Sequence, residues 1–516
     1  MQPNSTVKFL SGVPLDNTYE HTLYFNSLSE QTAHFSGSYS SLTVTNYTYQ
    51  RIKRGWIRVG VTADSMIIYN YMMFQNTNYS NKWFYAFVKS VEYINDNVCE
   101  IEFELDVMQT WFFNYTLGQC FVEREHPTLA DSTAYCYTPE SLEPGSLFPV
   151  NITDINMNDM NIAIISSPKP DSTFGSVNDI PGHTYFNTFC GASITTVFPN
   201  TALSDIKSFI LQCNQNNEEI IAMYQYPRIF ATPIEGSCAE LTETVNRPTT
   251  LVSGYTPRNK KLYYYPFTVC RVSDHNGNIQ EYPFEYFSAD TAQFKIKCIN
   301  IPETKVVIYP LHYKNMSEYY DENLIISDFP VCCWSNNSFE QWWASRKFGI
   351  FYEGINSALN MALENTPGLH SNPIKREVNQ AQEGTQYLLK SGSEISTALH
   401  LPNKVQGNTG SACLNGGIGQ QKIRIYSMST EIHRARSIDD YFTKYGYTVN
   451  RVKVPNRNAR PYFTYTKTNR CIIKGDIPYE HEQKICSIYD NGVTFWKNAS
   501  DVGNYSLENG DNQQSN

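Results

Sequence analysis

The chain has 516 residues, of which 41% are hydrophobic, 17% charged and 14% aromatic, with 37 Tyr. This composition excludes a disordered chain, and the length exceeds one simple core, so about two to four domains are expected. A net charge of −10 excludes a protein that holds nucleic acid by neutralising phosphates, but not a wall past which DNA slides.

The start, MQPNSTVKFLSG, has no basic cluster before an apolar run and does not read as a secretory signal. Residues 1–130 read as strands, in keeping with the Tyr-rich composition. The clearest strand is EIEFELDV, residues 100–107. Its period of two puts Ile101, Phe103, Leu105 and Val107 on one face and Glu100, Glu102, Glu104 and Asp106 on the other. Four carboxylates in a row repel one another, so they are expected to face water or to line a channel. Alternate positions on a strand lie about 6.6–6.8 Å apart, a spacing inverting glycosidases also use, but any half-exposed strand produces it. The pentad Val122-Glu123-Arg124-Glu125-His126 reads as a salt-bridged domain edge.

From residue 131 to about 250, Pro, Asn, Ser and Thr become frequent, which suggests a peripheral insertion. Within it, 203–217 has helical spacing, with Ile206, Phe209, Ile210 and Cys213 on one face. Strands return from Tyr263, and Asn276-Gly277 signals a hairpin turn. Phe294, Ile296 and Cys298 then alternate with Lys295 and Lys297. The stretch FEQWWASRKFGIFYEGINSALNMALE reads as an amphipathic helix. Its apolar side chains are Trp342, Trp343, Phe348, Ile350, Phe351, Tyr352, Ile355 and Leu359. Such a helix either lies on a membrane or packs inside an assembly. GNTGSACLNGGIG, which follows, has loop chemistry. The last 90 or so residues read as strands again, with a turn signal at Asn491-Gly492. The basic set Lys444, Arg451, Lys453, Arg457 and Arg460, set among Tyr and Phe, reads as a subunit interface in preference to a single-strand nucleic-acid site.

Nucleotide-binding glycine patterns, HExxH and GxSxG are all missing from the sequence. The 13 Cys have no zinc spacing and read as free thiols. The expectation is therefore a non-enzyme without cofactor or metal. Its fold would be mainly β, a multi-domain subunit of a ring or tube with a partly helical, irregular loop insertion. The segments would be 1–130, 131–254, 255–330, 331–425 and 426–516.

Several aromatic motifs carry a resemblance. They are MMFQNTNYSNKWFYAF (72–87), FELDVMQTWFF (103–113), EREH (123–126), YFTKYGYTVNRVKVPN (441–456), CIIKGDIP (471–478), DNGVTFW (490–496) and VGNYSLEN (502–509). In this order they resemble the tail-knob, or distal tail-tube, proteins of small short-tailed Bacillus phages with protein-primed DNA replication. The resemblance implies a homohexameric virion protein at the distal tip of the tail, made in the host bacterial cytoplasm. It implies a proximal tail or collar protein as neighbour, and viral double-stranded DNA passing through the lumen without sequence recognition. A loop at about 335–420 would close the channel before infection and then act transiently on the host membrane or wall. Family loops are long and rich in Gly and Ala, whereas this one carries Glu340, Arg346, Lys347, Lys375, Arg376, Glu377 and Glu383. That composition suits a plug, or a helix lying on a membrane, better than a pore. The other reading is a receptor-binding or cell-wall-degrading tail protein.

Overall fold

A computed structural model describes residues 5–47, 55–77, 80–167, 176–180, 184–185, 188–189, 193–199, 201–202, 204–206, 208–209, 219–230, 239–274, 277–299, 304–327, 329, 331–333 and 422–511. Two compact units share the chain. The first is Met1–Leu147, Thr249–Phe267 and Thr430–Asn516; the second is Phe148–Pro248 and Thr268–Ser429.

The first unit is built on an antiparallel sheet of six strands in the order Ser40–Tyr47, Ser5–Ser11, Tyr71–Asn76, Trp83–Asn95, Val98–Leu105, Trp56–Val59. Its central strands are covered on both faces. Tyr71, Met72 and Met73 are therefore all buried in succession. Tyr71 and Met73 enter one core with Tyr85 and Phe87, while Met72 enters another with Val7, Phe9, Ala86 and Ile101. Consecutive side chains on a strand point to opposite faces, so one apolar run feeds two cores.

A second sheet runs His21–Leu23, Val493–Trp496, Phe463–Asn469, Cys120–Glu125, Tyr447–Lys453. It brings the two ends of the sequence into one layer. Helix Leu28–Gly37 is fixed at its start by Ser27, whose hydroxyl accepts from the Glu30 N–H at 3.2 Å. It buries Phe35 against the rings of Tyr71 and Tyr85. Residues 249–267 join this unit through the buried Asp439 of helix Ile432–Tyr445. That carboxylate accepts from Tyr255 Oη (2.7 Å), Arg258 N (2.8 Å) and Asn259 N (3.0 Å).

The second unit has three larger sheets over one core, to which Tyr224, Tyr282, Phe294, Ile308 and Ile425 contribute. Strand Thr268–Ser273 pairs with Ile279–Tyr282 as the hairpin signal requires. Gly277 takes φ +96° in the turn, and the Asp274 carboxylate receives the Asn278 N–H at 3.2 Å. Asn276 lies outside the described residues. Strand Thr291–Ile299 buries Phe294, Ile296 and Cys298 and turns Lys295 and Lys297 outward, as its alternation implies.

Three expectations need correction. Residues 131–254 do not form a unit of their own. Residues 131–147 and 249–254 belong to the first unit, and Phe148–Pro248 share the second with 268–333 and 422–429, because Ala239–Asn246 pairs with Thr291–Ile299, Glu219–Pro227 with Val331–Cys333, and Leu147–Asn156 lies beside Lys422–Thr430. The last 90 or so residues are not all strands, since helices Ile432–Tyr445 and Tyr479–Asn491 stand among them. Asn491-Gly492 ends the second helix, with Gly492 at φ +95°, and is not a hairpin turn.

Of the helix expected at 203–217, Ile206 and Phe209 are fully buried, and the rings of Phe198 and Phe209 meet at a tilt, 5.4 Å between their centres. Ile210 and Cys213 lie outside the described residues, as does the whole stretch with Trp342, Trp343, Phe348, Ile350, Phe351, Tyr352, Ile355 and Leu359.

Candidate functional site

The carboxylate row sits on strand Val98–Leu105, one strand in from the edge of the six-stranded sheet. Cys99 and Ile101 are fully buried on the opposite face. On the acidic face, Glu100 lies opposite Glu92 on one side and Arg58 on the other. Like charges directly across a ladder destabilise it, and the Arg58 guanidinium relieves this pair from 2.5 Å. Glu102 accepts from Ser90 Oγ at 3.3 Å. Glu104 is paired with Lys484, has Lys89 at 3.5 Å, and accepts from Asn17 Nδ2 at 3.2 Å. Burial alone would raise the Glu104 pKa; the hydrogen bonds from Lys484 and Asn17, helped by both lysine charges, bring it below the usual carboxylate value.

Asp106 departs from the row, which corrects the expectation that it faces a channel. The strand stops at Leu105, and Asp106 starts helix Val107–Trp111 with its side chain turned inward, 1% exposed. Its carboxylate accepts from the Gln109 N–H at 3.1 Å and from Tyr71 Oη at 2.8 Å. Burial outweighs these hydrogen bonds and pushes its pKa up to about 6. The face explains the difference. Glu104 lies across from Phe87, and Phe87 belongs to the core that also holds Tyr71 and Tyr85. The acidic row therefore runs from solvent into a core, and its last member pays the desolvation cost.

The pentad at 122–126 is ion-paired, but not at an exposed edge. Glu123 meets Lys467 at 2.8 Å, and Glu125, whose side chain is fully buried, pairs with Lys453 and accepts from the Asn456 N–H at 2.9 Å. Arg124 pairs with the buried Glu140, which also meets the buried Lys261 at 2.7 Å. Burial would raise the Glu140 pKa, but the charges of Lys261 and Arg124 pull it below normal. His126 accepts the Tyr465 N–H at Nδ1 (2.8 Å) and donates from Nε2 to the Thr443 carbonyl (3.1 Å). Burial lowers its pKa to about 3, so it stays neutral and acts as a backbone clamp.

The basic set does not converge on one groove. Arg460 is 2% exposed and Arg457 packs against the rings of Phe112 (5.0 Å) and Tyr115 (5.7 Å). Lys453 is committed to Glu125, and Lys444 lies over Tyr505 at 4.8 Å. Among the described residues, no group of three or more His, Cys, Asp or Glu side chains is arranged to hold a metal ion. No helix among them is long and apolar enough to cross a membrane.

Residues 223–510 match the family model described as the C-terminal domain of Bacillus phage phi29 tail knob protein gp9. Residues 3–116 match that of the caudoviral major tail protein N-terminus. The tail knob protein gp9 of Bacillus phage PZA is 27% identical, and that of phi29 25% identical, each alignment covering 98% of both chains. The solved tail knob protein gp12 of bacteriophage C1 shares the fold, with a TM-score of 0.62 at 16% identity over 98% of this chain and 99% of that one.

Proposed function

The chain belongs to the phi29 gp9 family of tail knob proteins, structural components of phage tails, and from that premise we propose that its copies close into a ring whose channel passes DNA. Six copies are proposed, at the distal tip of the tail, seated on a proximal tail or collar protein. Closure into a ring would remove the free edges of the six-stranded sheet, Ser40–Tyr47 and Trp56–Val59.

The observation that carries the channel reading is the row Glu100, Glu102 and Glu104 on one sheet face. Each side chain is only part-buried, and each is held on the side of the sheet away from Ile101. Duplex DNA would meet there a face that offers no array of free cations, so phosphates gain no purchase. Residues 335–420 are proposed to close the channel before infection and to help the genome through the host membrane or wall. The protein would be made in the host cytoplasm and released in the virion.

Electron microscopy of the purified protein, with light scattering for mass, tests this. Six-fold rings with a channel wide enough for duplex DNA are expected, and density from 98–105 should reach the channel wall. A monodisperse monomer, or a ring with this strand on its outer surface, overturns the reading.

A further inference from the structure

The first unit leaves two clusters of large apolar side chains open, on different sheets and with opposite charges around them. One is on the six-stranded sheet, on the face turned away from Glu100, Glu102 and Glu104. Helix Ala63–Met66 packs there on strand Trp83–Asn95 and buries Met66 in the core that Val88 and Val91 border. That strand is laddered to Tyr71–Asn76 only as far as Phe87, so its far end has a single neighbouring strand, Val98–Leu105. Tyr93, two positions beyond Val91 and on the same face, is left open, as are Ile67 and Ile68 after the helix; the three are 61–69% exposed. Residues 60–69 and 90–97 hold Asp64, Glu92 and Asp96 and no Lys or Arg. Glu92 lies on the other face, across from Glu100, which leaves Asp64 and Asp96 beside the apolar cluster.

The other cluster lies at the edge of the second sheet that Tyr447–Lys453 forms. Cys120 and Val122 turn inward, so Phe121 between them turns outward, directly across the ladder from Val452, which is 68% exposed. Val454 continues that row, and Ile472 joins it: Asn469 pairs with Phe121, and the Ile472 carbonyl accepts the Gly118 N–H at 2.7 Å. Phe121, Val454 and Ile472 are all exposed. Arg451, Arg470 and Lys474 stand exposed around them, against one exposed carboxylate, Asp476, while Lys467 and Glu123 pair with each other at 2.8 Å. The edge itself is poorly shaped for adding a strand, because its register breaks between Thr448 and Arg451, where Asn450 has φ +46°. Side chains, not backbone, are what this surface offers a partner.

We propose that the acidic apolar surface at Asp64, Ile67, Ile68, Tyr93 and Asp96 docks on the basic apolar surface at Phe121, Arg451, Val452, Arg470, Ile472 and Lys474 of the next copy of the chain, an inference that rests on the ring reading above and supplies its subunit contact. Clusters of exposed large apolar side chains with a charged rim mark protein contacts. The two carry opposite charges, so each selects the other and rejects its own kind. A chain holding both halves at different places joins copies head to tail, the mode of contact that closes a ring. The first cluster also lies on the sheet face opposite the carboxylate row, so it can meet protein while that row faces DNA.

Full-length protein carrying a benzophenone photo-crosslinker in place of Ile68 or Tyr93 is mixed in isotope-labelled and unlabelled form, assembled, irradiated and digested for mass spectrometry. Crosslinks between labelled and unlabelled copies that fall in residues 118–123, 449–454 or 469–474 are expected. Rings of normal mass whose crosslinks reach another surface of the neighbour, or stay within one copy, overturn this contact and leave the ring reading standing. Wild-type protein that remains monomeric by light scattering overturns the ring reading itself, and this contact with it. Arg470→Glu with Lys474→Glu should weaken association by roughly tenfold or more at an unchanged melting temperature, and adding Asp64→Lys and Asp96→Lys should recover most of the loss. A four-site variant that associates no better than the two-site one also overturns the pairing.

Discussion

Asp106 gives the sharpest test of how the acidic row enters the core. Its pKa rises from 3.8 to about 6, a shift worth roughly 3 kcal/mol at 1.36 kcal/mol per unit. Between pH 3.8 and 6 the unfolded chain has lost this proton and the folded one has kept it, so Asp106 lowers stability as pH rises through that window. His126 works the other way. Its pKa falls from 6.5 to about 3, so between those values the unfolded chain binds a proton that the folded one does not, and stability is lost as pH falls. The two slopes, each about 1.4 kcal/mol per pH unit, oppose each other between pH 4 and 6. Asp106→Asn removes one of them while its amide oxygen can still accept the Gln109 N–H. Urea unfolding of wild type and variant, followed by Trp fluorescence from pH 4 to 7, measures the difference, in which all other groups cancel. The variant should gain on wild type by roughly 3 kcal/mol as pH rises across this range. A difference that stays constant, or that shrinks as pH rises, would refute the assignment of a buried, protonated Asp106.

Glu140→Gln leaves Lys261, with a side chain 1% exposed, without its counter-charge; a loss of about 3–5 kcal/mol is expected in chemical denaturation, and a loss below about 1 kcal/mol would show that the trio is solvated. Gly446→Ala should prevent stable folding, because residue 446 has φ +66° and a Cβ there would stand 2.2 Å from the Glu125 carbonyl oxygen. A normal melting curve for that variant would show that the chain does not pass Glu125 so closely. A peptide of residues 342–364 should bind anionic liposomes weakly, as read by co-sedimentation, and complete lack of binding would leave the segment only the role of a plug.

Period-two alternation found the strands at 98–105 and 291–299 because each has one polar and one buried face. It misplaced Asp106 because alternation does not say where a strand stops. The local signal was an Asp ahead of Val-Met-Gln, a helix start, and the structure uses it so. The two late helices were missed, although their signals stand in the sequence. Ile438, Phe442 and Ala435 fall on one helical face, and Pro478 and Gly492 bracket the other helix. Asn-Gly misled because a hairpin turn and a helix end both need positive φ, and the dipeptide serves either. The division into two units was out of reach. It depends on pairings such as Thr268–Ser273 with Lys422–Thr430, some 150 positions apart, which no local pattern encodes. The burial of Glu125, Glu140 and Lys261 depends equally on partners far along the chain.

The ion pairs change what the proposed channel wall would present to DNA. Around the row stand four carboxylates, Glu92, Glu100, Glu102 and Glu104, and three cations, Arg58, Lys89 and Lys484. Four minus three leaves about one net negative charge per subunit at neutral pH, a far weaker field than the sequence row suggests. A nearly neutral face suits sliding: strong repulsion would narrow the usable channel, and net positive charge would hold phosphates. Glu102 is the lever, because its described partner is the neutral Ser90 hydroxyl and not a cation. Glu102→Lys would turn one net negative charge into one net positive charge per subunit without breaking an ion pair that holds the sheet. Virions carrying it should assemble normally and eject DNA more slowly, and added salt should restore the rate, since the Debye length falls from about 10 Å at 0.1 M to about 3 Å at 1 M. Ejection followed by dye fluorescence across a salt series decides the matter. Unchanged rates at every salt concentration would remove this strand from the channel, whereas a slow rate insensitive to salt would point to altered assembly instead of altered charge.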